Sequence, residues 1–129
     1  MQGASALDKV LNKFRGRDWS ISIVWERVLD SDTDPPIAQV RARVADPRAR
    51  VYWDPDQRVS KAALPVLAKD ETPLVGKASL IHGDVVWDYV AVWKPGRNWE
   101  DLFPTPDWHG APVVQAVRPL ESALREFGL

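Results

Sequence analysis

The nine residues Val85-Val86-Trp87-Asp88-Tyr89-Val90-Ala91-Val92-Trp93 constrain the fold more than any other stretch of the chain. Apart from Asp88, apolar side chains fall on both alternating faces, the pattern of a strand covered on two sides. A run this rich in Val and aromatics, closed by Lys94-Pro95-Gly96, belongs near the centre of a sheet. The other segments then read as layers packed on it.

Taken in order, Leu7, Val10, Leu11 and Phe14 recur at helical spacing behind Ser5 and Asp8, which resemble a capping box. This predicts a helix over 5–15, ended by Gly16. Trp19, Ile21, Ile23 and Trp25 alternate with Ser20, Ser22, Val24 and Glu26, a strand running to about Leu29. After an acidic turn, Asp34 at the N-cap and Pro35 at the first helical position start a short helix. Its apolar face is Ile37, Val40 and Val44, and Asp46-Pro47 stops it. A strand over 50–53 follows, then a helix capped by Asp54, with Gln57 reaching back and Pro65 kinking or ending it. Residues 69–84 read as loop. The last strand is expected over 112–115, and the final helix carries Val117, Leu120, Leu124 and Phe127, with Pro119 near its start.

The order is therefore α, then β-α-β-α-β-β-α. The first two strands would be parallel across a helical crossover and the last two antiparallel. That is an α/β chain, a mixed four-stranded sheet with helices on both faces. At 129 residues it forms one domain, 1–129, with a helical extension over 1–17 and a core over 18–129.

Seventeen basic against 18 acidic residues argue against bulk attraction to nucleic acid or an anionic membrane. Without cysteine, disulfides, thiolate metal ligands and thiol catalysis are excluded. No apolar run reaches the length of a membrane span, and the N-terminus carries no basic-then-apolar export signal, so a soluble protein is expected. The compartment is left open.

The strand Ile23-Val24-Trp25-Glu26-Arg27-Val28-Leu29, the segment Asp46-Pro47-Arg48, Tyr52-Trp53-Asp54-Pro55, and Trp87-Asp88 with Pro95-Gly96 and Trp99 behind it resemble a bacterial branch of thioredoxin-like proteins. The resemblance spans roughly 20–127 and implies a thioredoxin-like β-α-β-α-β-β-α core. The departures from that family are specific. Its redox members carry Cys-x-x-Cys just after the first core strand, where this chain has residues 30–36 and no sulfur. The family's proline ahead of the terminal hairpin is replaced by His82-Gly83-Asp84. Thiol–disulfide exchange needs an attacking thiolate, so a redox-inactive domain is implied.

Asp30, Asp32 and Asp34 follow a strand, where α/β folds place their sites, and three alternate carboxylates suit a divalent cation. Neither known loop pattern fits. An EF-hand needs Gly and Glu where Pro35 and Arg41 stand, and the Asp-x-Asp phosphatase motif continues with Thr or Val where Asp34 stands. The plainer reading is a capped, solvated acidic turn. Asp88 in so apolar a strand reads as a buried acid tying N–H groups together. Glu26 is read alike, with Arg27 or Arg50 as partners. His82 and His109 make no zinc set, no serine sits in a Gly-x-Ser-x-Gly elbow, and no Gly-rich phosphate loop is present. Arg41, Arg43, Arg48 and Arg50 beside Tyr52 and Trp53 are ordinary for a solvated face, so no nucleic-acid partner is expected.

The long connection 94–111 is the strongest pointer to a surface. Trp99, Phe103, Trp108 and His109, among Pro95, Pro104 and Pro106, form a candidate rigid contact surface. The expected function is a non-catalytic binding or protein-interaction module without cofactor, with a protein partner or homodimer. The alternative is a metal-assisted or acid–base enzyme using Asp30, Asp32 and Asp34.

Overall fold

A computed structural model describes residues 2–27, 29, 31, 34–69, 75–76, 81–82, 85–100 and 103–129, the backbone alone at 75–76 and 81–82. The elements are α1 (Gln2–Lys13), β1 (Ile21–Glu26), α2 (Ala38–Arg41), β2 (Ala49–Asp54), α3 (Arg58–Lys69), β3 (Val75–Gly76), β4 (Ile81–His82), β5 (Val85–Val86), β6 (Val90–Val92), β7 (Trp108–Ala111) and α4 (Val113–Glu126). The chain is mixed α/β.

β1 and β2 pair in parallel, Ile21 opposite Ala49 through Glu26 opposite Asp54, with α2 in the crossover. β6 and β7 are antiparallel neighbours, Val92 opposite Trp108, and β3 joins β7 on its other side in parallel. β4 and β5 form a separate antiparallel pair. Among the described residues these are three sheets rather than the one mixed four-stranded sheet expected.

The cause lies in the central run. Its nine residues do not make one strand, because Asp88 has φ 51°, in the left-handed region. The chain turns there, so β5 pairs with β4 while β6 pairs with β7. Aspartate tolerates this conformation better than the Val, Trp and Tyr around it. The side chain expected to be buried in a strand instead occupies a bend at the start of α1. A Cβ added to Gly3 would lie 2.7 Å from Asp88 Oδ1 and 3.1 Å from Val113 Cβ. Glycine is needed at that close approach.

Other boundaries shift for local reasons. α1 begins at Gln2, so Ser5 lies inside it and caps nothing; Asp8 instead accepts from the Ala45 N–H at 2.9 Å. α2 starts at Ala38, with Ile37 at its N-cap, and Asp34 sits in an exposed bend. Pro36 bars Pro35 from helical geometry, which delays the start. Asp54 does cap α3, taking the Val59 N–H at 2.8 Å, but Gln57 turns at φ 56° and donates to the Arg27 carbonyl. Helix α3 continues through Pro65 to Lys69. Residues 112–115, expected as the last strand, are the N-cap and first turn of α4, and β7 lies earlier. Val113, Ala116, Leu120, Ala123 and Leu124 line its buried face at helical spacing. Pro119 therefore sits well inside the helix. The carbonyl its ring leaves unbonded belongs to Gln115, which is exposed to water.

Gly128, at φ 70°, ends α4. Its N–H bonds the Arg125 carbonyl and the Leu129 N–H bonds the Leu124 carbonyl, the paired bonds of a Schellman stop. The core lies between α1, α4 and the β6–β7 face, with Val10, Phe14, Leu120 and Leu124 at its centre and Val90, Val92 and Trp108 packed on them.

A buried joint closes the other end of α1. Arg48 makes a bidentate pair with Asp46 at 2.9 and 2.6 Å, and its guanidinium also donates to the carbonyls of Phe14 (2.9 Å) and Arg17 (2.8 Å). These carbonyls follow α1 and each also accepts one backbone N–H, from Arg17 and Trp19 respectively, so the guanidinium fills their second acceptor position. It also lies over the Trp19 ring, 5.1 Å from its centroid. The Asp46 carboxyl is held below its usual value by the Arg48 hydrogen bonds, which outweigh the effect of burial.

Candidate functional site

Strand alternation sorts the β6–β7 side chains into two faces. Val90, Val92 and Trp108 point to the helices. Tyr89, Trp93 and His109 make a second layer on the other face, with ring contacts among themselves and to the connection 94–107. Tyr89 and His109 meet edge to face at 5.7 Å, and the phenolic oxygen lies 2.9 Å from His109 Nδ1. Phe103 meets Trp93 edge to face at 5.2 Å and Tyr89 at 6.3 Å. Trp99 packs on Trp93 with centroids 4.7 Å apart.

The connection is a pinned strap. Trp93 donates its indole N–H to the Pro104 carbonyl at 2.9 Å. Asp107 holds both ends: its carboxylate accepts from the Lys94 N–H at 2.8 Å and from Arg97 at 2.6 Å, and its own N–H bonds the Val92 carbonyl. Gly96, at φ 83°, makes the outgoing turn. Lys94 Nζ lies 4.4 Å from the Phe127 ring centroid, joining the strap to the end of α4.

This geometry divides the predicted surface residues. Phe103 (8% exposed) and His109 (4%) are buried, and Trp108 is packed on the core, so these three are corrected from contact surface to interior. The reason is the period of two in β7, which sends Trp108 and His109 to opposite covered faces. Trp99 alone of the four remains open, at 51% exposure. Burial also pushes the Tyr89 hydroxyl well above the usual tyrosine range, so it stays protonated beside His109.

Of the acidic turn, Asp30 and Asp32 lie outside the described residues, and Asp34 is exposed. Among the described residues no three His, Asp or Glu side chains come together as a cation site. The His82 side chain also lies outside what is described.

A second cluster escaped the sequence reading. Glu26 and Asp54 end β1 and β2 as register partners. Glu26 accepts the Ser60 N–H at 2.9 Å through Oε1 and the Ser60 hydroxyl through Oε2, while Ser60 Oγ accepts the Val86 N–H at 2.9 Å. The partners of Glu26 are thus Ser60 and Asp54, not Arg27 or Arg50. Burial raises the Glu26 carboxyl, and its contact with Asp54 raises it further. Asp54 is desolvated too, yet the Val59 and Arg58 N–H groups and the bond from Glu26 bring it below its usual value. Of the two carboxyls, Glu26 is therefore the one that takes up a proton first as pH falls. A serine hydroxyl bonded to a carboxyl has the makings of acid–base chemistry, but Ser60 is 1% exposed. The cluster joins α3, β1, β2 and β5, and the sequence signal for it is a strand-end acid with one further strand between it and the helix start.

No family model, no curated protein and no solved structure matches this chain. No helix among the described residues is long and apolar enough to cross a membrane.

Proposed function

We propose that this chain is a non-catalytic binding module, without thiol chemistry, that contacts a protein partner or a second copy of itself through the strap around Trp99. One observation carries the reading: Trp99 is half exposed yet already ordered by packing at 4.7 Å on Trp93. A large ring held in place before contact forms an anchor at little ordering cost. The same reading makes the chain a cysteine-free thioredoxin-like domain. In its favour stand the parallel β1–β2 pair joined through α2, the antiparallel β6–β7 pair, and α4 after it.

Sedimentation velocity over a concentration series tests the proposal with Trp99→Ala and Trp108→Ala beside the wild type. Trp99→Ala should weaken self-association about ten-fold or more while moving the melting temperature little. Trp108→Ala should instead cost about 2–4 kcal/mol of stability, since its ring is core. If the wild type is monomeric throughout, a photoreactive residue at position 99 should cross-link a protein from the native host. Unchanged association in Trp99→Ala, or no cross-link from position 99, would overturn the proposal.

A further inference from the structure

α1 and α4 pack side by side on the core, and their outer surfaces leave a shallow groove of about 540 Å³. Its apolar lining is small-sided: Ala6 and Val10 from α1, Val114 and Val117 from α4, with Val114 44% exposed. Its charged lining is Lys9, Lys13, Arg43 and Arg118 against a single acid, Glu121. That acid is already engaged, by Lys13 at 2.8 Å and Arg125 at 3.0 Å. Lys9, Arg43 and Arg118 are exposed, and their side chains have no ion-pair or hydrogen-bond partner among the described residues. Three uncompensated cations around one apolar trough stand out in a chain of net charge −1.

We infer that this groove docks an acidic amphipathic helix of a partner protein. Three features choose that occupant. Its α1 side runs from Gln2 to Lys13, about 17 Å at helical rise, which suits three turns of a partner helix rather than a compact anion. Cations and small apolar side chains share the lining, the complement of a helix with one apolar stripe flanked by carboxylates. No aromatic side chain lines the groove, so bases have nothing to stack on. The inference is independent of the Trp99 surface, which lies on the strap.

Fluorescence anisotropy with the full chain tests it. The probe is a labelled 15-residue peptide with Leu at i, i+3, i+4 and i+7 and Glu and Ala elsewhere. Controls are a scrambled peptide of the same composition, inorganic phosphate, laurate and a 15-nucleotide RNA. The ordered peptide should bind, more weakly as salt rises, and lose about ten-fold or more in affinity with the Lys9→Glu/Arg118→Glu pair. The neutral Lys9→Gln/Arg118→Gln pair should show an intermediate loss, keeping the test sound should reversal disturb folding. Trp99→Ala should bind the peptide like the wild type. The inference is overturned if the ordered peptide does not bind, if the scrambled peptide binds equally well, or if the charge variants bind unchanged. Displacement of the peptide by phosphate or laurate, or tighter binding of the RNA, would overturn it too.

Discussion

Arg48 is where single-residue chemistry weighs most. Its guanidinium meets a carboxylate whose side chain is only 1% exposed, and it also serves two carbonyls beyond α1. Removing one partner of such a pair leaves the other charged and dry, at about 3–5 kcal/mol. Arg48→Ala should therefore lose about 3 kcal/mol in denaturant unfolding, and Arg48→Lys should recover little of it, because an ammonium cannot reproduce the fork. The acid side follows from the depressed Asp46 carboxyl. A carboxyl lower in the folded state contributes stability that is fully present above its unfolded value, about 4, and is lost as pH falls through the folded value. Unfolding followed from pH 6 to pH 2 should show that loss in the wild type. In Asp46→Asn it should be shallower, from a lower starting stability.

Among elements, the broken run 85–93 shows how one dihedral outweighs a pattern. Its composition favours an unbroken strand, yet φ 51° at Asp88 divides it between two sheets. Asp88→Val completes the strand pattern in sequence but puts a β-branched residue in the left-handed region, so it should destabilise by about 1–2 kcal/mol. Asp88→Gly fits that conformation and should cost far less; equal losses in thermal melts would mean that the carboxylate, not the backbone, matters there. The same comparison explains what was legible. The parallel β1–β2 pair and the stripe of α4 could be read because each repeats a period over several residues. Asp88 could not, since a lone polar residue in an apolar run marks a buried acid and a bend equally well. The start of α4 was misread because Pro112 suits both the end of a strand and the step into a helix. The loss of Trp108 and His109 from the predicted surface has a related cause, since placing β7 four residues late read a strand as a loop.

For the molecule as a whole, the β6–β7 pair is the partition between two interiors of different character. One side is aliphatic and helix-covered, and the other is aromatic and closed by the pinned connection. The sequence announced the amount of aromatic material but not its segregation, because Tyr89, Trp93 and Phe103 meet only once the strap folds back. Asp107 gave no signal at all; an acid in a proline-rich connection looks like any solvated loop residue.

The Trp93–Trp99 pair also makes the chain report optically on itself. Two indoles with centroids 4.7 Å apart and planes at 57° are close enough for their excited states to mix. A far-ultraviolet circular dichroism couplet of paired opposite lobes should ride on the backbone signal and vanish in Trp99→Ala and in Trp93→Phe alike. A spectrum unchanged by either substitution would mean that the two indoles are not coupled in solution. With the couplet in place, opening of the strap during docking or unfolding is readable without a label, separately from the melting of the helices on the far side of the partition.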